Sequence, residues 1–360
     1  MSSILIESTP FEIRNFDTDF RHLYLVFVDD QGVESVITAG PDRRGPFNFG
    51  DIEVSAGGLL EDSDVARGND TPGDRGSREI DVGARDPADV WAVMLQQADN
   101  VHAAEIDYRP LGPNSNTVIT SVLHSVDIDV RDTLPGDVQR SEVPGLTSNL
   151  DFPTTLTGTP GNDTIVGGDE NDTLFGKGGE DTLFGGQGPD RLEGNQDADE
   201  LFGGPGDDVL LGNLGPDALR AGAGDDTLLG GFGRDMVFGG PGDDDLTGGP
   251  GADQMRGGPG SDVFDYQSIG DAGDTILDFD TGPGSDALLV ADLLDGFQPG
   301  ASDPNDFVSL TEQADAIAVE INADGQGDDA VPLVTLAGVT GASLDDLIAD
   351  GNIALTPVVS

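Results

Sequence analysis

Aspartate recurs every nine residues through the middle of this chain. From Gly158 to Asp265 the sequence divides without insertion into twelve nonapeptides, of which GGPGDDVLL at residues 203–211 is an example. The sixth position of every unit is aspartate: Asp163, Asp172, Asp181, Asp190, Asp199, Asp208, Asp217, Asp226, Asp235, Asp244, Asp253 and Asp262. Carboxylates on glycine-bearing turns are hard oxygen donors, and Ca²⁺ takes about six to eight such oxygens whereas Mg²⁺ needs a tighter octahedron. The spacing therefore predicts that Ca²⁺ is bound by these twelve aspartates.

The other fixed positions of the nonapeptide predict how the aspartates are placed. The first position is glycine in eleven units, with Ala221 as the exception, and the eighth is always apolar. A glycine-rich turn followed by a short piece with one inward apolar side chain is a minimal turn and strand. Stacked units would bring the aspartates to about one strand spacing, roughly 4.8 Å, where they repel each other unless cations lie between them.

The sequence GGxGxD followed by x-apolar-x, in twelve copies, resembles the calcium-binding nonapeptide repeat of the RTX (repeats-in-toxin) proteins. The resemblance implies a parallel β-roll in which one coil takes two nonapeptides and Ca²⁺ binds between units n and n+2. Twelve units would then make six coils, with at most five sites on each side and ten in all. A glycine-rich acidic linker without metal is the alternative, but the unbroken register of aspartates and apolar residues argues against it.

Two units depart from the pattern at the fourth position, where a glycine-like conformation is expected. Glu170 stands there in the second unit and Asp197 in the fifth. L-residues adopt such a conformation at a cost, so we expect the sites beside these turns to be weaker.

The ninth position points outward and predicts two apolar rows. They are Val166, Phe184, Phe202 and Phe238 on one sheet, and Phe175, Leu211 and Leu229 on the other. Packing against the flanking domains of the same chain is the preferred interpretation, and docking of a foreign partner is the alternative.

Composition excludes several classes of function. The 360 residues hold 69 acidic and 16 basic side chains, for a net charge of −53, and no cysteine. The negative electrostatic field of the protein repels nucleic acid and anionic membranes, so both are poor partners. The lack of cysteine excludes disulfides, thiol catalysis and thiolate metal sites. Apolar runs are too short for a membrane span. Within residues 158–265, 23 acidic and 5 basic residues surround a thin core, so we expect this segment to be disordered until calcium binds.

After Asp265 the nonapeptide period stops, and residues 266–360 are predicted to form a β-rich cap that covers the end of the roll. The phrases GDTILDFD, NADGQGDD and SLDDLIADGNIAL resemble the C-terminal target domain of type I secretion substrates. The resemblance implies an uncleaved C-terminal signal that is read by an ABC-type secretion channel. The N-terminus lacks the basic flank and long apolar core of a cleavable signal, which agrees with this route. The expected location is therefore secreted, extracellular or at the cell surface.

One acidic loop in this last segment has an alternative reading. Asn322, Asp324 and Asp328 present oxygens that could hold a further Ca²⁺, although a plain hairpin turn is at least as good an explanation.

Residues 1–150 have an ordinary composition and predict an α+β domain, joined to the repeats by a linker at residues 151–157. Residues 21–28 are typical of a buried strand, followed by a turn and a hairpin partner over residues 33–39. Asp86-Pro87 has the residue types of a helix start, and apolar residues follow at helical spacing. A short strand is expected at residues 106–108, and Leu111–Thr117 leads into a second helix.

The order of strand, hairpin, helix, strand and Asn-Ser-Asn-Thr at a helix start is similar to the circularly permuted branch of the papain-like hydrolases. The resemblance implies that His22 is the base and Ser115 the nucleophile, at a helix N-terminus that lowers a nucleophile's pKa. That family usually has cysteine at this position, and serine is harder to activate. Alternatively, Asn114 or Ser115 only caps the helix and His22 is a hydrogen-bonded strand residue. His102 and His124 are expected on helices and have no assigned role.

Together, the sequence predicts a multi-domain protein with an N-terminal α+β domain, a central parallel β-roll and a C-terminal β-rich cap. Calcium binding after export is the predicted function. The alternatives are a serine-type hydrolase or acyl transferase in residues 1–150, and an adhesive or structural surface protein that uses the outward phenylalanines.

Overall fold

The structure of the protein is a computed structural model. It describes residues 2–13, 16–32, 34–41, 52–59, 76–103, 115–128, 153–282, 285–325 and 330–355. The chain forms two compact units, Met1–Leu174 and Phe175–Ser360. The boundary falls inside a repeat strand, so the first repeats belong to the N-terminal unit.

A five-stranded antiparallel sheet forms the base of the N-terminal unit, in the order β4-β3-β2-β1-β5. Its strands are β1 (Ser3–Ile13), β2 (Phe16–Val28), β3 (Glu34–Pro41), β4 (Ile52–Leu59) and β5 (Gly76–Glu79). The predicted hairpin is present: β2 and β3 pair, and the turn between them is closed by a 3.0 Å hydrogen bond from the Gly32 N–H to the Asp29 carbonyl. Pairing of β1 with β2 along nearly their whole length makes a second, longer hairpin that the sequence did not predict.

Two helices contact this sheet. Helix α1 (Pro87–Ala103) begins where predicted, and the Asp86 carboxylate caps it by accepting a 2.8 Å hydrogen bond from the Ala88 N–H. Its apolar side is buried, and Trp91 stacks on Phe27 of β2 at 5.6 Å between ring centroids. Helix α2 (Ser115–His124) contacts β2 and β3. The predicted strand at residues 106–108 lies outside the described residues.

Repeat strands begin earlier than the sequence predicted. Within the N-terminal unit, β6 (Thr155–Thr157) lies in the segment expected to be a linker, and β7 (Thr164–Gly168) follows it. Helix α1 covers β6: Gln96 Nε2 donates to the Thr157 carbonyl at 2.6 Å, and the Thr157 N–H donates to Gln96 Oε1 at 2.9 Å. An amide side chain thus makes both hydrogen bonds that a neighbouring strand would make, which protects an otherwise open edge.

The central region is a parallel β-solenoid of about seven turns. Each coil supplies one strand to each of two sheets, and equivalent residues pair at an 18-residue offset, as in the series Leu192, Leu210 and Leu228. The strands that follow β7 are β8 (Thr173–Lys177), β9 (Thr182–Gly186), β10 (Arg191–Gln196), β11 (Glu200–Pro205), β12 (Val209–Leu214), β13 (Ala218–Ala223), β14 (Thr227–Phe232), β15 (Met236–Phe238), β16 (Asp245–Thr247), β17 (Gln254–Arg256) and β18 (Val263–Asp265). The eighth-position side chains are 0–1% exposed and form the thin core that the pattern predicted.

Both parallel sheets of the second unit continue past Asp265. β19 (Asp274–Ile276) pairs with β17, β20 (Ala287–Leu289) pairs with β18, and β24 (Ile353–Ala354) pairs with β20. The connections are longer than in the repeats, which hides these coils from a search at period nine.

The remaining C-terminal elements are antiparallel strands and a short helix. β21 (Val308–Glu312), β22 (Ala316–Ile321) and β23 (Val331–Ala337) form a meander, and β23 also pairs in parallel with β19. Helix α3 (Leu344–Asp350) begins after the cap residue Ser343 and leads into β24. Among the described helices, none is long and apolar enough to cross a membrane.

Candidate metal centre

The repeat aspartates form two files that run along the solenoid. In the second unit, the first file contains Asp181, Asp199, Asp217, Asp235 and Asp253, and the second contains Asp190, Asp208, Asp226, Asp244 and Asp262. Within each file, the backbone N–H of one aspartate donates to Oδ1 of the aspartate 18 residues later, at 2.7–3.0 Å. Every repeat aspartate is buried, with 0–4% of its surface exposed. The sixth position is therefore part of the fold itself.

The second carboxylate oxygen of these residues has a different environment. From Asp199 to Asp262, each Oδ2 is buried and accepts no hydrogen bond from any described residue. An uncompensated buried carboxylate oxygen is costly, and proteins normally pair such atoms or bind them to a metal.

The glycine at the start of a unit lies directly against Oδ2 of the aspartate in that unit, where a side chain would collide with it; the eighth unit, with Ala221, is the exception. A Cβ added to Gly230 would lie 2.7 Å from Oδ2 of Asp235 and 2.6 Å from the backbone carbonyl oxygen of Gly248 in the next coil. A carboxylate oxygen and a carbonyl oxygen thus approach the same glycine without a side chain between them. Both are hard donors, so this set of atoms fits Ca²⁺.

Electrostatics also favour a cation at this place. Burial, together with the neighbouring Asp217 and Asp197 charges, raises the pKa of Asp199 to about 7, although the hydrogen bond from the Asp181 N–H opposes the shift. Burial likewise raises the pKa of Asp208 and Asp217 to about 6 and that of Asp235 to about 7. The folded chain therefore resists ionising these carboxylates unless positive charge is supplied.

The described residues contain no cluster of three or more His, Asp or Glu side chains around one point. The reason is geometric, because the aspartates are arranged in line along each side of the solenoid. A cation in such a file must complete its ligands with backbone carbonyls and water.

The left-handed conformation expected at the fourth position is present in Asp197 and absent in Glu170, and the weaker calcium sites expected beside these turns stay a prediction. Asp197 has the left-handed conformation, with φ of +70°, and its Oδ2 accepts a 3.1 Å hydrogen bond from the Gly179 N–H. Glu170 does not have a positive φ.

A second line of carboxylates was missed by the sequence analysis. Fifth-position side chains on one side of the solenoid also link coils: Asp207 Oδ1 accepts from the Asp225 N–H at 3.0 Å, and Asp225 Oδ1 accepts from the Asp243 N–H at 2.9 Å. These residues are exposed, unlike the sixth-position files. Aspartate at the fifth position of alternate units was the signal that could have identified them.

One of the predicted outward rows contains a cation. Phe184 and Phe202 stack with centroids 4.9 Å apart, and Arg220 lies between Phe202 and Phe238, with its Cζ 5.3 and 5.7 Å from the two ring centroids. The phenylalanines are half-buried by these contacts. Part of the apolar surface of this row is therefore covered by contacts between the rings and with Arg220.

The two residues proposed for catalysis lie on neighbouring elements. His22 is in β2, where it pairs with Thr9 of β1, and Ser115 is the first residue of α2, a helix that contacts β2. Their side chains lie outside the part of the chain whose side chains the structure describes. His102 is in α1 and His124 in α2, as predicted.

The C-terminal acidic loop follows β22. Asn322 and Asp324 form a turn in which the Gly325 N–H donates to the Asn322 carbonyl at 3.2 Å, whereas Asp328 lies outside the described residues. Asn322 also lines a cavity of about 390 Å³ with Asp306 and Phe307. The described part of the loop is a turn, and the calcium site considered for Asn322, Asp324 and Asp328 stays a prediction.

Comparison with protein families supports the repeat assignment. Residues 154–183, 176–210, 184–219, 202–237, 211–246 and 238–266 match the RTX calcium-binding nonapeptide repeat (four copies). The matches cover less than half of the chain, from residue 154 to residue 266. The chain thus carries RTX repeats in a parallel β-solenoid, with a stacked ladder of aspartates.

No curated protein sequence matches the chain significantly. Among solved structures, the AlgE6R3 subunit of the Azotobacter vinelandii mannuronan C5-epimerase is 25% identical, with 45% of this chain and 79% of that chain covered and a TM-score of 0.29. The extracellular lipase LipA from Serratia marcescens is 20% identical, with 59% and 44% covered and a TM-score of 0.22. Neither superposition is close enough to transfer an activity.

Proposed function

We propose that this protein is a secreted calcium-binding RTX protein whose β-roll folds on Ca²⁺ after export. The observation that carries the proposal is the pair of files in which the buried Oδ2 atoms from Asp199 to Asp262 accept no hydrogen bond from a described residue. At Asp235, this oxygen and the backbone carbonyl oxygen of Gly248 both approach Gly230. Ca²⁺ would supply the positive charge that these carboxylates need in order to be ionised and buried at neutral pH. Carboxylates of Asp172, Asp181, Asp190, Asp199, Asp208, Asp217, Asp226, Asp235, Asp244, Asp253 and Asp262 are the proposed ligands.

Asp163, the first aspartate of the repeat block, is left out of this set. Its Oδ2 accepts hydrogen bonds from the Thr159 N–H at 2.6 Å and from Thr159 Oγ1 at 3.0 Å. A carboxylate oxygen with two donors has less lone-pair capacity for a cation.

Direct measurement of bound metal tests the proposal. The chelator-washed chain, dialysed against millimolar CaCl₂ and then analysed for metal, should retain several calcium ions per molecule. Dialysis against MgCl₂ at the same concentration is the matched control, and fewer Mg²⁺ ions per molecule should be retained. The files offer carbonyl and carboxylate oxygens at the longer distances that Ca²⁺ accepts, whereas Mg²⁺ needs a compact octahedron. A chain that retains no calcium would contradict the proposal.

Export is the second part of the proposal. RTX repeat proteins are typically secreted. The C-terminal phrases within residues 266–360 support type I export through an ABC-type channel. A channel that carries unfolded chains suits a segment that folds only in calcium, because the high charge of the roll opposes its folding where calcium is scarce.

A hydrolase or acyl transferase in residues 1–150 is a second candidate function. One observation favours it: Ser115 begins a helix that contacts the strand of His22. A Ser115→Ala variant assayed on panels of ester and amide substrates tests this candidate. Activity in the parent that survives in the variant would exclude Ser115 as the nucleophile.

The adhesive alternative rests on the Phe184, Phe202 and Phe238 row. These rings contact each other and Arg220, which leaves less apolar surface for a partner. Calcium-dependent pelleting with whole cells would favour adhesion.

A further inference from the structure

The two aspartate files continue by one residue beyond the repeats. In the first file, the Asp253 N–H donates to Oδ1 of Asp274 at 2.8 Å, and in the second the Asp262 N–H donates to Oδ1 of Asp286 at 3.1 Å. Both later aspartates are buried, with 1% and 2% of their surface exposed. In their ladder hydrogen bond and in their burial, they are equivalent to the aspartates of the repeats.

Their second carboxylate oxygens differ from those of the preceding coils. Oδ2 of Asp274 accepts a 2.9 Å hydrogen bond from the Tyr266 hydroxyl, and Oδ2 of Asp286 accepts a 2.8 Å hydrogen bond from the Asp280 N–H. By contrast, Oδ2 of Asp253 and of Asp262 accepts no hydrogen bond from a described residue. We call an Oδ2 open when it accepts no hydrogen bond from a described residue and closed when a protein donor occupies it. Each file therefore changes from open to closed between one coil and the next.

The change has a local cause in the first file. Tyr266 stands 18 residues after Gly248, the glycine whose added Cβ would lie 2.7 Å from Oδ2 of Asp253. Gly248 precedes its aspartate by five residues, whereas Tyr266 precedes Asp274 by eight. The longer turn leaves room for the phenol ring, which is 2% exposed, and brings its hydroxyl to the carboxylate.

We propose that Asp274 and Asp286 end the two files of calcium sites as ladder residues whose Oδ2 binds no ion. A protein donor occupies the position at Oδ2 that is left to the cation in the preceding coils. Tyr266 is then a positioning residue that terminates the first file. Within the N-terminal unit, Oδ2 of Asp163 is likewise occupied by protein donors, because it accepts hydrogen bonds from Thr159. This inference rests on the proposed calcium function and states which carboxylates perform it.

Matched Asp→Asn substitutions in adjacent coils of one file test the assignment in the full-length chain. Asparagine keeps Oδ1 as the acceptor of the ladder hydrogen bond and replaces Oδ2 by an NH₂ group, which cannot bind a cation. At Asp274 and Asp286 the change also removes the hydrogen bond that Oδ2 accepts. Bound calcium is counted by equilibrium dialysis and metal analysis. Asp253→Asn and Asp262→Asn should each lose at least one calcium ion per chain, whereas Asp274→Asn and Asp286→Asn should bind as many ions as the parent.

The outcomes separate the two proposals. A parent that binds no calcium at millimolar concentration contradicts the calcium function itself. A parent that binds calcium, with Asp274→Asn losing as many ions as Asp253→Asn, overturns only the closed-end assignment. The closed-end assignment is also overturned if all four variants bind as many ions as the parent, because open and closed oxygens would then be equivalent.

Tyr266→Phe provides an independent readout. The substitution removes the hydroxyl donor and keeps the ring. Oδ2 of Asp274 would then be buried without a hydrogen bond, and no ion would take the place of the hydroxyl. In saturating calcium we expect an unchanged calcium count and a thermal midpoint lowered by roughly a few degrees. An unchanged midpoint would show that the hydroxyl does not stabilise the carboxylate, and would overturn the role given to Tyr266.

Discussion

The backbone N–H of Asp217 donates a 2.8 Å hydrogen bond to Oδ1 of Asp235, which lies 18 residues later in the next coil. The bond uses one oxygen of the carboxylate for the fold and leaves Oδ2 for a ligand. A single side chain thus links neighbouring coils and presents a cation donor. Folding and metal binding are coupled through the same residue, because the donor oxygens come into line only when the coils are stacked.

Residues 158–265 are expected to fold only in calcium. The eight carboxylates from Asp199 to Asp262 are buried with one oxygen unpaired among the described residues, so the stacked state is costly without a cation. Circular dichroism should show coil in chelator and β-structure in millimolar CaCl₂. The same titration with MgCl₂ is the control. A complete β-signal in chelator at neutral pH would contradict this prediction.

Acid should substitute in part for calcium. The folded pKa of Asp199 and Asp235 is about 7 and that of Asp217 about 6, above the unfolded value of about 3.9. Groups whose pKa is raised by folding stabilise the folded state below the unfolded pKa, and this stability is lost as pH rises through the folded pKa. In chelator, β-structure should therefore be greater at pH 5 than at pH 8.

The same linkage predicts that protons and calcium compete. In the acid range, where part of the apo chain is folded with protonated carboxylates, calcium binding should release protons that a weakly buffered titration detects; at pH 8, where the apo chain is an ionised coil, it should release none. Equal proton release at pH 5 and pH 8 would contradict this linkage.

Asp235→Asn should weaken calcium-driven folding more than the matched fifth-position change Asp225→Asn. The first removes a buried Oδ2 metal donor. By contrast, Asp225 is exposed, and its Oδ1 accepts a hydrogen bond from the Asp243 N–H that asparagine can keep. We expect the calcium midpoint of Asp235→Asn to rise about tenfold, equivalent to about 1.4 kcal/mol. Equal shifts in the two variants would show that general charge, and not the buried file, determines affinity.

Asp197→Gly should lower the calcium concentration at the folding midpoint. Asp197 is held at φ of +70°, which costs an L-residue about 1 kcal/mol or more, and glycine adopts this conformation freely. The hydrogen bond from the Gly179 N–H to Asp197 Oδ2 is exposed, so its loss should cost less. A midpoint shifted to higher calcium would mean that Asp197 acts as a ligand.

Asp197→Asn is the control for charge in this experiment. Asparagine tolerates the left-handed conformation and keeps an acceptor, but removes the negative charge beside Asp199. If relief of backbone strain is the cause, Asp197→Asn should shift the midpoint less than Asp197→Gly. Equal shifts would assign the effect to charge.

Deleting residues 266–360 is expected to leave the chain inside cells, because the proposed export signal lies in this segment. The deletion also removes β19, β20 and β24, which continue the two sheets. The full-length Asp274→Asn variant, which keeps the segment but changes the end of the ladder, is the control and should be exported like the parent. Normal export of the truncated chain would refute the signal assignment.

The sequence alone determined the repeat architecture, because each nonapeptide carries its own turn, strand and core residue. The period placed the sixth-position aspartates and the eighth-position apolar residues in register, and Asp86-Pro87 located the start of α1 by local capping chemistry. These features depend on residues within one turn or one helix, so the pattern of residue types was sufficient.

Only the tertiary structure decided how each aspartate is used and where the files end. The distinction between Oδ1 and Oδ2 depends on an N–H that lies 18 residues away in the neighbouring coil. Past Asp265 the separations along the ladder become 21 and 24 residues, so Asp274 and Asp286 fall out of the period and no nine-residue pattern could place them. The Tyr266 hydroxyl reaches its carboxylate through a turn of irregular length. Contacts made across irregular connections depend on how the chain packs, and residue spacing does not encode them.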